Sequence, residues 1–107
     1  ENVNIGMTAS TVIEKYALDA VSSSATSTTV TLTNNTASSV SVQYILAAYT
    51  ADGQMVASST VASGLQSQKS IKLTVQYSAK DQVSWVSAFV LQAGTLQPLR
   101  AVWKKAL

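Results

Sequence analysis

The longest apolar run of the chain lies between residues 82 and 99, and its first half has the pattern of a buried β-strand. Both alternating sets of positions are apolar there, which is typical of a strand that is covered on both faces. One set contains Val83, Trp85, Phe89 and Leu91, and the other contains Val86, Ala88 and Val90. We therefore predict that this strand lies in the middle of a sheet and that Phe89 belongs to the core.

Three other stretches alternate between apolar and polar residues with the period of two that a half-buried strand requires. They are residues 27–33, residues 39–50 and residues 68–78. In the second of them the other face also becomes apolar, at Ile45, Ala47 and Tyr49. This change indicates a central strand whose second face is covered over part of its length, or a β-bulge that redirects the side chains.

Turn residues separate these stretches and add further strands. Asp52-Gly53, which lies between two apolar segments, is typical of a β-hairpin. Residues 54–62 should therefore return as a short edge strand, and Ser63-Gly64 should turn the chain. A first strand is predicted within residues 11–21, with a short helix as the alternative.

The C-terminal residues 96–107 fit two different elements. Leu96, Leu99, Trp103 and Leu107 have the spacing of a helix, whereas alternate residues from Leu99 onward could face inward from a strand. The proline before Leu99 cannot donate to a strand ladder, so a strand here would lie at a sheet edge. Both alternatives remain open at the level of the sequence.

The pattern gives about seven short strands joined by turns, with no long helix. It is typical of an all-β protein with an immunoglobulin-like, fibronectin type III-like β-sandwich. We expect residues 12–107 to form this domain and residues 1–11 to be a flexible lead-in or linker. The strand in residues 82–91 should lie between the strand in residues 39–50 and the C-terminal strand.

The composition argues against catalysis. The 107 residues include no cysteine and no histidine, which removes the thiolate nucleophile, the commonest general base and the ligands of most zinc sites. The acidic residues Glu14, Asp19, Asp52 and Asp81 are scattered, so they indicate neither a carboxylate pair nor a calcium site. We therefore expect no enzyme activity, no metal and no cofactor.

The surface composition bears on location and partners. Charged residues make up only 11% of the chain, and the net charge of +2 is too small and scattered for a nucleic-acid surface. The abundance of serine and threonine favours a secreted or cell-surface protein, and the absence of cysteine favours a bacterial source. No apolar run is long enough for membrane insertion. The basic residues near the C-terminus, Arg100, Lys104 and Lys105, are expected to form a solvated terminal face. The alternative is that they contact an anionic wall polymer.

Three segments carry motifs that point to a known family. Residues 28–36 form a Thr-rich strand ending in an Asn-rich turn, and residues 45–56 form a hairpin with a Tyr-x-x-x-Gly centre. Residues 86–99 contain an Ala-Phe strand followed by Thr-Leu-x-Pro-Leu. These motifs resemble a family of small β-sandwich modules in large secreted proteins of Gram-positive bacteria, although Leu91-Gln92 stands where the family tends to carry Trp-Asp. The resemblance implies an accessory module beside surface-layer or carbohydrate-active domains, without catalytic residues.

The aromatic residues are the candidates for a binding surface. Most are expected in the core, but Tyr49 stands at a hairpin end, Trp103 lies near the terminus, and Ile45 belongs to an apolar patch that this chain or a partner would cover. We predict a non-catalytic structural or protein-interaction module of a secreted or cell-surface bacterial protein. Its partners would be other domains of that protein, a surface protein or a glycan. The alternative is a carbohydrate-binding module in which Tyr49 and Trp103 stack on sugars.

Overall fold

The chain folds into two antiparallel β-sheets that pack face to face, in a computed structural model that describes residues 14–107. Its strands are β1 (Tyr16–Ser23), β2 (Ser27–Asn34), β3 (Val40–Thr50), β4 (Met55–Leu65), β5 (Ser70–Gln76), β6 (Val83–Gln92) and β7 (Trp103–Ala106). The strand order is β1-β2-β5 in one sheet and β4-β3-β6-β7 in the other. This arrangement confirms the prediction of an all-β, immunoglobulin-like sandwich of the fibronectin type III kind.

The strand that the sequence placed at the centre, β6, lies between β3 and β7 as predicted. It pairs with β3 along nearly its whole length, and β7 pairs with its first half. The C-terminal segment is therefore a strand at a sheet edge, which excludes the helical alternative. Leu96 has a left-handed backbone with φ of 59°, and Pro98 forms an isolated bridge to Leu91. Both features are incompatible with a continuous helix over residues 96–107.

The core lies between the two sheets and is built from the alternating inner faces that the sequence predicted. Its most deeply buried members are Val30, Leu32, Val42, Tyr44, Leu46, Ala48, Val75, Val86, Ala88 and Val90. Because strand residues alternate in direction, these positions keep one parity along each strand. Leu99 and Trp103 pack against the same cluster from the C-terminal segment, so Trp103 faces inward.

Tyr44 links the two sheets through its hydroxyl group. The side chain is fully buried, and the hydroxyl donates a hydrogen bond to the carbonyl oxygen of Val30 at 2.9 Å. Val30 belongs to the opposite sheet, so this bond crosses the core. Removal from water raises the pKa of the Tyr44 phenol well above its ordinary value of 10.0, because burial penalises the phenolate.

We expect this raised pKa to make the domain lose stability in alkali. Above a pH of about 10, the unfolded chain releases the Tyr44 proton while the folded chain keeps it, so rising pH favours the unfolded state. Tyr44→Phe removes this proton from both states. Urea unfolding at about pH 9 and about pH 11 should show a smaller loss of stability in the variant than in the wild type. Equal losses would contradict the assignment of the shift to Tyr44.

The hairpin between β3 and β4 is confirmed, whereas the predicted turn at Ser63-Gly64 is wrong. Gly53 has φ of 90°, and its amide donates to the carbonyl oxygen of Thr50 at 2.9 Å, which closes the hairpin turn. Ser63 and Gly64 instead continue β4 and pair with β3. The strand continues past the glycine because Leu65 at its end is buried in the core.

The described part of the chain begins just before β1, which is a strand as predicted rather than the alternative short helix. The predicted lead-in, residues 1–11, lies outside the described residues. Glu14 and Arg100 form an ion pair at 3.2 Å, and the Arg100 guanidinium also donates to the carbonyl oxygen of Tyr16 at 2.9 Å. These contacts hold the start of β1 against the segment between β6 and β7.

Asn34, the last residue of β2, is a fully buried polar residue whose side chain joins three segments. Its Nδ2 donates to the carbonyl oxygens of Ser38 and Leu65 at 2.9 and 3.0 Å. Its Oδ1 accepts hydrogen bonds from the amide and the hydroxyl group of Thr36 at 2.9 and 2.7 Å. All the hydrogen-bonding positions of the amide are therefore used, and the turn after β2 is tied to the end of β4.

Candidate functional site

The four-stranded sheet turns one face toward the three-stranded sheet and the other face, here called the outer face, away from it. Ile45 and Tyr49, two of the predicted site residues, lie on the outer face of β3 because their parity is opposite to that of the core residues. The register of the strands places further side chains beside them. The outer face carries Ile45, Ala47 and Tyr49 of β3, Trp85, Ser87, Phe89 and Leu91 of β6, and Lys104 of β7.

Three cross-strand pairs form the centre of the outer face. Ile45 lies opposite Phe89, Ala47 lies opposite Ser87, and Tyr49 lies opposite Trp85. The small pair separates the two large pairs, which are roughly 13 Å apart along the strands. Ala47 and Ser87 are only 1% and 6% exposed, because the large side chains on either side close over them. The outer face therefore presents a continuous apolar surface.

Trp85 is held between two neighbours on the outer face. Its ring is stacked on the Tyr49 ring, with the centroids 5.4 Å apart and an angle of 14° between the planes. The Lys104 ammonium lies 4.2 Å from the centroid of the Trp85 ring, within the range of a cation–π contact. The two neighbours come from the strands on either side of β6, Tyr49 from β3 and Lys104 from β7. Trp85 is therefore partly buried by its neighbours on the outer face.

No layer of the described residues packs over the outer face. The large apolar side chains Ile45, Tyr49, Trp85, Phe89 and Leu91 all stay partly exposed, and none belongs to the core cluster or packs against it. The prediction that Phe89 is a core residue is therefore wrong, and within residues 14–107 the central strand is covered on one face. The physical reason is that a sandwich of two layers buries only one face of each sheet.

Trp103, the third predicted site residue, does not join this surface. It lies opposite Ala88 on the inner side of β7 and packs against the core. An exposed pair of Tyr49 and Trp103 is therefore excluded, because the two rings lie on opposite faces of the same sheet. Residue spacing alone could not show which of Trp85 and Trp103 faces the core and which lies on the outer face. The direction of Trp103 depends on how a strand of four residues pairs with β6.

The three basic residues near the C-terminus do not form one patch. Arg100 is turned toward β1, where it contacts the backbone and Glu14. Lys104 lies over Trp85 on the outer face, whereas Lys105 has the opposite parity. The predicted basic cluster is thus divided among three directions, and only Lys104 belongs to the candidate site.

Two of the acidic residues have clear structural contacts. The Thr50 hydroxyl donates to the Asp52 carboxylate in the hairpin turn, and this bond, with the Gln54 amide, holds the pKa of Asp52 below its usual range. Asp81 accepts from the Ser78 amide at 3.0 Å in the capping box of the short 3-10 turn Ala79–Asp81. Residues 14–107 contain no group of three or more acidic, histidine or cysteine residues that could hold a metal ion.

Sequence reasoning missed Trp85, Phe89 and Lys104 as parts of the site. A signal for the first two was present, because the stretches that became β3 and β6 are each apolar on a second face, and the two strands were predicted to be neighbours. The contact of Lys104 with Trp85 follows from the register of β7, which no sequence pattern indicates. The part of the chain that the structure describes contains no helix long and apolar enough to cross a membrane.

Comparison with known proteins gives a fold but no family. No protein-family model and no curated protein matches the sequence. Among solved structures, a β-glucuronidase from glycoside hydrolase family 2 contains a similar fold, with a TM-score of 0.50 and 14% sequence identity. The similarity covers 86% of this chain and 11% of that chain, so the sandwich corresponds to a small part of a much longer protein. At this identity the similarity concerns the fold alone.

Proposed function

We propose that this chain is a non-catalytic protein-interaction module that docks onto another domain through the outer face. The observation that carries the proposal is the group of large apolar side chains that no described residue covers. The group consists of Ile45, Tyr49, Trp85, Phe89 and Leu91, which are neighbours on two adjacent strands. Contiguous apolar patches of this kind on a protein surface mark contact sites, because exposing them to water is unfavourable.

The chemistry of the outer face resembles the centre of a protein interface. Such centres are rich in aromatic residues and poor in charge, and polar groups surround them. Here the aromatic and aliphatic pairs lie in the middle. Lys104 borders them on the β7 side, and Ser58 and Thr60 border them on the β4 side. An acidic group on the partner could pair with Lys104 without being buried under the apolar centre.

The module is proposed to belong to a larger secreted or cell-surface bacterial protein. The low content of charged residues and the absence of cysteine support this location. The three motifs that resemble Gram-positive accessory modules support the same assignment. The similar sandwich in the family 2 β-glucuronidase is an instance of this fold inside a longer chain. The docking partner would then be a neighbouring domain of the same protein.

Carbohydrate binding has less support from the geometry. A sugar ring stacks on a free aromatic face, whereas the Trp85 ring is already stacked on Tyr49 and has the Lys104 ammonium over it. Trp103 faces the core and offers no second ring. We expect soluble glycans to leave the tryptophan emission unchanged up to about 1 mM. Saturable retention on a polysaccharide that Trp85→Ala abolishes in a folded protein would favour carbohydrate binding instead.

The docking proposal is tested by mixing this chain with the rest of the protein that its gene encodes, supplied as a separate polypeptide. We expect the wild type to bind and Phe89→Lys to weaken binding by about a hundredfold, because it places a charge in the middle of the apolar patch. Thr31→Lys adds the same charge on the outward side of β2, in the other sheet, and should bind as the wild type does. Equal binding by the two variants would contradict the proposal.

A further inference from the structure

The edges of the two sheets are protected to different degrees against pairing with another chain. Charged residues, bulges and short lengths prevent such pairing. β1 carries Asp19 and a bulge in its second half, and β5 carries Lys72. β7 has only four residues, of which two are Lys104 and Lys105. These three edges therefore have the protection that is usual in β-proteins.

The fourth edge, β4, has none of these charges and little irregularity. It is 11 residues long, Met-Val-Ala-Ser-Ser-Thr-Val-Ala-Ser-Gly-Leu, without a charged residue or a proline. Residues 57–65 pair one to one with residues 40–48 of β3, and the register shift of this ladder lies near the hairpin. β4 is therefore a long, regular and uncharged edge.

The free side of β4 has backbone groups that can accept another strand. In an antiparallel pair, about half of the residues direct their amide and carbonyl groups away from the neighbouring strand. Between Val56 and Gly64, the backbone makes no hydrogen bond to another described backbone group outside the ladder with β3. An added strand would satisfy these groups in the way that strand addition does at other open sheet edges.

We infer that β4 pairs with the β4 strand of a second copy of this chain, antiparallel and around a two-fold axis at Thr60. In this register Ala57 lies opposite Ser63, Ser58 lies opposite Ala62, and Ser59 lies opposite Val61. Small uncharged side chains then meet one another on both faces, and no like charges are brought together. The strand is thus complementary to itself, which favours a second copy over an unrelated extended segment.

The two-fold arrangement also gives a closed assembly. Pairing of one edge with the same edge of another copy ends at a dimer, whereas pairing between two different edges continues into a filament. The two four-stranded sheets would become one continuous sheet, with both outer faces on the same side. The dimer would therefore present two docking faces in one direction.

The test is self-association of the chain, measured by sedimentation equilibrium up to about 1 mM. We expect a monomer–dimer equilibrium in the wild type. Thr60→Lys brings two ammonium groups together at the axis and should raise the dissociation constant by about tenfold or more. Thr60→Val adds no charge and should leave the constant within about twofold. Thr60 is exposed, so both variants should fold. If Thr60→Lys does not fold, Ala62→Lys serves as the charged variant in its place.

A chain that remains monomeric throughout would overturn the inference, and so would a dimer that Thr60→Lys and Ala62→Lys leave unchanged. Phe89→Lys separates this edge from the outer face. Pairing through β4 survives Phe89→Lys, whereas a dimer formed through the outer face does not. Loss of the dimer in Phe89→Lys would therefore also overturn the β4 assignment. The proposal that the outer face docks onto another domain would still stand.

Discussion

Replacing Leu46 by alanine is expected to lower the free energy of unfolding by about 3–5 kcal/mol. Leu46 is fully buried on the inner face of β3, in the core between the sheets. Truncation removes contacts with both sheets and leaves a cavity, because the strand ladders keep the sheets from closing around the smaller side chain. The loss is a large part of the roughly 5–15 kcal/mol that stabilises a domain. Urea unfolding followed by tryptophan emission measures it.

Phe89→Ala is the matched comparison for this prediction. It removes more atoms than Leu46→Ala, but we expect it to cost only about 1 kcal/mol, because the ring is partly exposed on the outer face. The neighbour across the ladder is Ile45, which lies on the same exposed face. A loss for Phe89→Ala that equals or exceeds the loss for Leu46→Ala would contradict the assignment of the inner and outer faces.

Asn34→Ala is expected to cost about 2–4 kcal/mol, because it removes the hydrogen bonds of a fully buried amide group. The carbonyl oxygen of Leu65 loses the Asn34 donor and the Thr36 amide loses its acceptor, whereas the carbonyl oxygen of Ser38 still has the Thr36 hydroxyl group as a donor. The alanine methyl group replaces none of these hydrogen bonds. The end of β2, the turn after it and the end of β4 should loosen together, and hydrogen exchange of the Thr36 amide should accelerate more than that of the core amides.

The neighbouring asparagine provides the control for Asn34→Ala. Within residues 14–107, the Asn35 side chain makes one hydrogen bond, from Nδ2 to the carbonyl oxygen of Glu14 at 2.9 Å, near the surface. Asn35→Ala should therefore cost about 0.5 kcal/mol or less. If the two variants lose the same stability, the burial of the Asn34 amide does not account for its effect.

The sequence predicted the strands best where one face is buried and the other is open to water. β2 and β5 alternate strictly between apolar and polar residues, and the structure turns the apolar residues toward the core. This alternation can be predicted from the strand's own sequence, because successive side chains point to opposite faces. The end of β4 was predicted less well. Gly64 favours a turn locally, but the burial of Leu65 keeps the chain in the sheet. The sequence also does not decide between a strand and a helix for the C-terminal residues. The strand forms by pairing with residues of β6, which lie well before it in the chain.

The candidate site was predictable in part. The second apolar face of β3 was visible at Ile45 and Tyr49, and the second apolar face of β6 was visible at Trp85 and Phe89. The sequence could not show whether this chain covers that face. A strand has the same pattern of apolar residues on both faces whether its second face is covered by the same chain or by another molecule. The sequence allows Trp103 either to face inward from a last strand or to lie at the surface near the end of the chain, and pairing with β6 turns it toward the core.

Hydroxyl-radical footprinting of the outer face measures most directly whether another domain covers it. In the isolated chain we expect Tyr49, Trp85 and Phe89 to be labelled, because all three remain partly exposed. In the larger protein that we propose contains this module, the same three residues should be protected several-fold. Tyr44, which is fully buried in the core, should stay unlabelled in both samples. Equal labelling of the outer face in the isolated chain and in that larger protein would contradict its role as a docking surface.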